Sequence, residues 1–159
     1  MDDFRRALDK GLRLVARREV CRRQVIERLR EEFGEDTAEA VADELARQRL
    51  VDDSRFARLY AAQLYEKGFY IRRVVYELKS KGVDGGLAEE TAYDLAPDQE
   101  ESILRLLGGK LGSELADAAS LRRAMNTFER YGYDGDTVLR VIREFQEGGC
   151  QVGEYQAGD

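Results

Sequence analysis

Three segments of this chain carry the same apolar stripe at a spacing of 50 residues, and that repetition limits the possible folds more than any other feature. The segments are TAEAVADEL from Thr37, LAEETAYDL from Leu87 and TVLRVIREF from Thr137. Ala38, Val41, Ala42 and Leu45 coincide with Ala88, Thr91, Ala92 and Leu95, and again with Val138, Val141, Ile142 and Phe145. An i, i+3, i+4, i+7 pattern places the apolar side chains on one face of a short helix. Asp36, Gly86 and Asp136 stand before the three segments as acceptable N-caps, and Asp36 with Glu39 has capping-box spacing.

A basic segment precedes each stripe: RRQVIERLREEF from Arg22, RRVVYELKSKG from Arg72 and RRAMNTFERYG from Arg122. With Leu29, Leu78 and Phe128 taken as equivalent, Val25, Val74 and Ala124 superpose, as do Ile26, Val75 and Met125, and Arg23, Arg72 and Arg122. This is a second helix in each unit, closed by Gly34, Gly82 or Gly132, residues that accept a left-handed backbone cheaply. Helical spacing also links Leu8, Leu12 and Val15, then Phe56, Leu59, Tyr60 and Leu64, then Ile103, Leu104, Leu107 and Leu111. The expected fold class is therefore all-α: three tandem three-helix units forming an elongated, curved repeat array. The units are expected at 1–51, 52–96 and 97–147, the last boundary marked by Ala96-Pro97, followed by a disordered tail over 148–159. Units of this size are marginal alone and lean on their neighbours.

Charge follows the same period. Residues 5–30, 55–82 and 118–143 are basic, whereas 31–54 and 84–117 are acidic, within a net charge of −6. That balance repels polyanions on average but leaves basic blocks available locally. The repeated arginines at Arg22 and Arg23, Arg72 and Arg73, and Arg122 and Arg123, extended by Lys79, Lys81 and Arg130, form a candidate partner-binding stripe. The competing reading makes each a solvated side chain paired with acidic third helices.

No histidine occurs, which removes triads and histidine metal sites, and no phosphate-cradling loop or nucleophile elbow is present. No enzymatic activity, metal or cofactor is expected. Asp52 and Asp53 could be read as an acidic metal-binding pair, but the expectation is that Asp53 caps a helix beginning near Ser54. Cys21 and Cys150 lack ligand spacing and read as free thiols. Without an apolar run of spanning length, a cytoplasmic protein with no membrane contact is expected.

The segment LVDDSRFARLY, residues 50–60, resembles the signature of the RecX family of recombinase regulators. The matching residues are Leu50, Val51, Asp52, Asp53, Arg55, Phe56, Ala57 and Tyr60. Arg72, Val75, Leu78, Lys81 and Gly82 match that family's second unit, and Arg130, Gly132 and Tyr133 its third. The chain departs from the family at Arg22-Arg23-Gln24-Val25-Ile26 and at Tyr131. The resemblance implies a monomeric regulator that lies in the groove of the RecA filament on single-stranded DNA and inhibits its ATPase, strand exchange and growth. Direct DNA binding by a helix-turn-helix-like unit and a general helical adaptor are the alternatives. Reversing Arg72 and Arg73 is expected to weaken partner binding without changing stability.

Overall fold

The computed structural model describes residues 2–109, 111, 115 and 117–148, and the described residues form nine α-helices in three consecutive groups of three. The first group is α1 (Asp2–Arg17), α2 (Arg22–Phe33) and α3 (Glu35–Arg47). The second is α4 (Asp53–Glu66), α5 (Ile71–Lys81) and α6 (Gly85–Leu95), and the third is α7 (Gln99–Gly108), α8 (Ala118–Tyr131) and α9 (Gly135–Gly148). Helix α9 includes Gly148, where the tail was expected to begin; residues 149–159, with Cys150, lie outside the described residues.

The three stripes are the cores of their groups. Ala38, Val41, Ala42 and Leu45 are buried on α3, Ala88, Thr91 and Ala92 on α6, and Val138, Val141 and Ile142 on α9. The second helices bury their equivalent residues as well: Val25 and Leu29, Val74 and Leu78, Ala124 and Phe128. The first helices differ in part from expectation. Phe56 and Leu64 are buried on α4 as expected, but Leu12 and Leu59 are exposed, and the small residues Ala7 and Gly11 on α1 and Ala57 and Ala61 on α4 are buried as well. Small residues hold the contact because the helices approach closely. A Cβ added at Gly11 would lie 3.0 Å from Leu45 Cδ1 and 3.1 Å from Val41 Cγ1.

The third helices start one residue before the expected caps, at Glu35, Gly85 and Gly135. Their N-terminal boundary residues are Gly34, Asp84 and Asp134, still 50 apart. Asp84 Oδ2 accepts from the N–H groups of Gly86 (3.1 Å) and Leu87 (3.3 Å), and Asp134 Oδ2 from the N–H (3.1 Å) and hydroxyl (2.8 Å) of Thr137. Asp36, Gly86 and Asp136 sit inside the first turns, where Asp36 and Asp136 still favour the helix dipole. Gly34 ends α2 and begins α3 at once, whereas two-residue turns follow Gly82 and Gly132.

The chain packs as two compact units. One comprises residues 1–61 with 75–91, and the other residues 62–74 with 92–159, so the division cuts across α4, α5 and α6.

Candidate partner-binding surface

Each compact unit contains a joint of one design, in which the start of one group's second helix meets the glycine-terminated end of the next group's second helix. In the first unit Cys21 donates from Sγ to the carbonyl of Lys81 at 3.1 Å. The stem of Arg23 lies over Gly82, so that a Cβ there would fall 2.5 Å from Arg23 Cδ and 2.6 Å from its Cβ. In the second unit Tyr70 N–H donates to the carbonyl of Tyr131 at 2.7 Å, and Arg73 N would lie 2.4 Å from a Cβ on Gly132. Positive φ values of 106° at Gly82 and 95° at Gly132 reinforce the requirement for glycine.

This architecture takes up several of the arginines expected to face a partner. Arg72 Nη2 donates to the carbonyls of Glu129 (3.2 Å) and Tyr133 (3.3 Å), and Arg73 Nη1 to that of Arg130 (3.1 Å). The carbonyls of Glu129 and Arg130 lie in the last turn of α8 and that of Tyr133 just beyond its glycine cap, where a cation satisfies them favourably. Arg73 also lies 5.0 Å from the centre of the Phe69 ring. The geometry therefore corrects the expectation that Arg72 and Arg73 can be reversed at no cost to stability. Arg22 pairs with Asp43 at 2.9 Å and Arg23 with Glu27 at 3.0 Å. With Val25, Val74 and Ala124 equivalent, Arg23 aligns with Arg72 and Arg122, so Arg72-Arg73 and Arg122-Arg123 recur in phase while Arg22-Arg23 stands one residue early and Arg22 corresponds to Ile71.

The remaining basic residues are arranged differently. Lys81 lies 5.8 Å from the Tyr60 ring centre, Arg123 donates to Ser120 Oγ at 3.0 Å, and Arg130 to Thr127 Oγ1 at 3.3 Å. Lys79 and Arg122 are exposed, with no ion-pair partner among the described residues. Arg22, Arg23, Lys79 and Lys81 belong to the first compact unit; Arg72, Arg73, Arg122, Arg123 and Arg130 belong to the second. Within each, Arg23 comes beside the Lys81-Gly82 turn, and Arg73 beside the Arg130-to-Gly132 turn.

The residues 50–60 act structurally. Val51, Phe56 and Ala57 are buried, and Tyr60 packs 5.8 Å from Phe56 between ring centres. The cap of α4 falls to Asp52 and not, as expected, to Asp53. Asp52 Oδ1 accepts from Arg55 N–H at 3.0 Å and caps α4, while Asp53 Oδ1 accepts from Arg22 N–H at 2.8 Å and caps the first turn of α2. Arg55 pairs with Glu19 at 3.0 Å and reaches the carbonyls of Arg49 and Leu50. No group of three or more potential metal ligands occurs among the described residues, and no helix there is long and apolar enough to cross a membrane.

Burial pushes the Cys21 thiol above its ordinary 9.0, so it stays protonated at neutral pH. Tyr133 donates its hydroxyl to the Gly68 carbonyl at 2.7 Å, and burial pushes its pKa up to about 12. Its ring stacks on Tyr70 with centres 4.9 Å apart and planes at 10°. Sequence reasoning missed these tyrosines as joint residues, although Gly-Tyr-Asp at 132–134 and the aromatic pair Phe69-Tyr70 were visible.

Comparison with known proteins agrees with this architecture. Residues 52–91 match the family model described as RecX, second three-helix domain. A regulatory protein RecX of Streptomyces coelicolor is 33% identical over 86% of this chain and 75% of its own length. One from Amycolatopsis mediterranei is 32% identical over 72% of this chain and 68% of its own length. The crystal structure of RecX from Lactobacillus salivarius superposes with a TM-score of 0.79 at 19% identity, covering 91% of this chain and 97% of that one, which establishes likeness of fold. With the signature helix, the repeated glycine joints and relatives at this identity over most of both chains, the chain belongs to the RecX family of regulatory proteins.

Proposed function

We propose that this protein regulates homologous recombination by binding the RecA nucleoprotein filament on single-stranded DNA and restraining its ATPase, strand exchange and growth. Membership of the RecX family carries this reading. The mechanism requires no chemistry from the chain itself, because occupying a binding face on successive filament subunits is enough to oppose their cycle. The basic side chains remain the proposed contacts: Arg22, Arg23, Arg72, Arg73, Lys79, Lys81, Arg122, Arg123 and Arg130. Lys79 and Arg122 are the cleanest probes, since both are exposed and outside the joints.

The test is RecA ATP hydrolysis on single-stranded DNA with this protein added substoichiometrically. Inhibition is expected, together with a loss of potency of about tenfold in K79E/R122E at unchanged thermal stability. Potency should also fall as salt rises. Unaltered hydrolysis at stoichiometric protein overturns the proposal, and full potency in the double variant removes those two residues from the interface. Reversal of Arg72 and Arg73 is a poor probe, because lost binding would be confounded with a loosened α8 terminus.

A further inference from the structure

A cluster of basic side chains in the first compact unit lies on neither joint. It sits in the groove between α1 and α2, where Lys10, Arg13, Arg17 and Arg28 surround Leu14 in a dent of about 210 Å³. Arg13, Arg17 and Arg28 have no carboxylate partner among the described residues, whereas Arg22, Arg23 and Arg55 nearby in sequence are all paired. Helical spacing puts Arg13 and Arg17 one turn apart on the same face of α1, with Arg28 facing them from α2. Leu14 is half-buried, packed below against the core and open above to the groove.

The geometry points to this groove as a docking site for an acidic segment of a partner protein, one apolar side chain seated on Leu14 and flanking carboxylates held by Arg13, Arg17 and Arg28. Guanidinium groups match carboxylates as two-pronged donors, and an apolar floor between them rewards a side chain that a phosphate backbone does not have. The surroundings disfavour nucleic acid. The adjoining dents mix the two signs, Asp9 and Glu32 standing among Arg6, Lys10 and Arg13 on one side and Glu27 beside Arg18 and Arg28 on the other, so carboxylates are interspersed in the basic track at both ends. A polynucleotide needs a continuous positive groove and usually free aromatic faces for stacking. The ring at that end, Phe33, already lies under Arg6 and Lys10, whose cations are 5.6 and 5.8 Å from its centre. Lys10 is further held by Glu32 at 2.5 Å, which leaves the three arginines as the unneutralised charge.

This site is independent of the RecA reading and is tested on the full chain by fluorescence anisotropy. The probes are a fluorescein-labelled peptide Asp-Glu-Leu-Glu-Asp, the same peptide with Ser for Leu, and an oligothymidylate of roughly 20 nucleotides. The leucine peptide should bind the wild type, with at least about tenfold weaker binding in R13Q/R17Q/R28Q and a clear loss for the serine peptide. Glutamine keeps much of each stem and avoids reversed charge, and the single variant R28Q should show a partial loss if the triple variant is not stably folded. Peptide affinity unchanged in either variant, equal binding of the serine peptide, or displacement of the peptide by the oligothymidylate from the same arginines overturns the proposal. K79E/R122E should bind the peptide like the wild type whatever its effect on RecA, so failure of either reading is distinguishable from failure of the other.

Discussion

At the scale of single residues, backbone conformation decides which substitutions matter. Arg49 is the only described non-glycine residue with positive φ, at 58°, and ends α3 in the role glycine usually fills. Leu50 N–H donates back to the Leu45 carbonyl at 2.9 Å, and Arg55 secures the Arg49 carbonyl from outside. A left-handed arginine costs about 1 kcal/mol relative to glycine. Arg49→Gly should accordingly raise stability by about 0.5 kcal/mol after the added freedom of the unfolded chain is counted, as read from urea unfolding. The three helix-ending glycines should respond unequally to alanine. At Gly34 a Cβ meets nothing within 4 Å, so only the strained φ of 82° opposes it, at about 1 kcal/mol. At Gly132 the new carbon collides with the Arg73 and Tyr70 backbone, and a loss of about 3 kcal/mol is expected from the same measurement. Equal losses at the two sites would mean that the joint yields without resistance.

Among the helices, the acid limb of stability depends on caps. Backbone N–H donation from Ser120 holds the Asp117 carboxyl below its ordinary 3.8, and the Thr137 hydroxyl does most to depress Asp134. A depressed folded value means that each carboxylate stabilises above the unfolded value and loses that effect as pH falls through the folded one. Asp117→Asn and Asp134→Asn should therefore lower Tm at neutral pH, and the gap from wild type should close as pH falls below the ordinary carboxylate range and through the depressed folded values. A gap that persists in acid would assign the effect to packing. The same helices show what the sequence could disclose. The stripes of α3, α6 and α9 were legible because burial of a helix face leaves a 3.6-residue period in the residues themselves. The exact caps were not, because Asp84 and Gly86, or Asp134 and Asp136, are both acceptable in sequence and only the turn after Gly82 or Gly132 selects between them. Leu12 and Leu59 were misplaced because size was taken as a sign of burial, whereas close helix approach selects Gly11, Ala57 and Ala61. The roles of Arg72 and Arg73 were hidden for a further reason: their partners are main-chain carbonyls, which every residue has.

For the molecule as a whole, three groups of helices are packed as two compact units, and the middle group is divided between them. We propose that the three-unit description records the repeat, while the joints around Gly82 and Gly132 determine what folds together. An isolated fragment of residues 52–96 would lack the Cys21 and Arg23 side of one joint and the Tyr131 and Gly132 side of the other. It is expected to show little helix by circular dichroism and no cooperative melting, whereas a sharp transition would show that the middle group is autonomous. The second joint also has an optical consequence. The chain contains no tryptophan, so tyrosine supplies its long-wavelength protein absorption and emission. Tyr70 and Tyr133 are stacked in an asymmetric setting, and both Tyr65 and Tyr133 donate their phenol groups to backbone carbonyls. Near-ultraviolet dichroism and tyrosine emission thus form an intrinsic, label-free gauge weighted toward that joint, able to register its loosening before the far-ultraviolet helix signal declines.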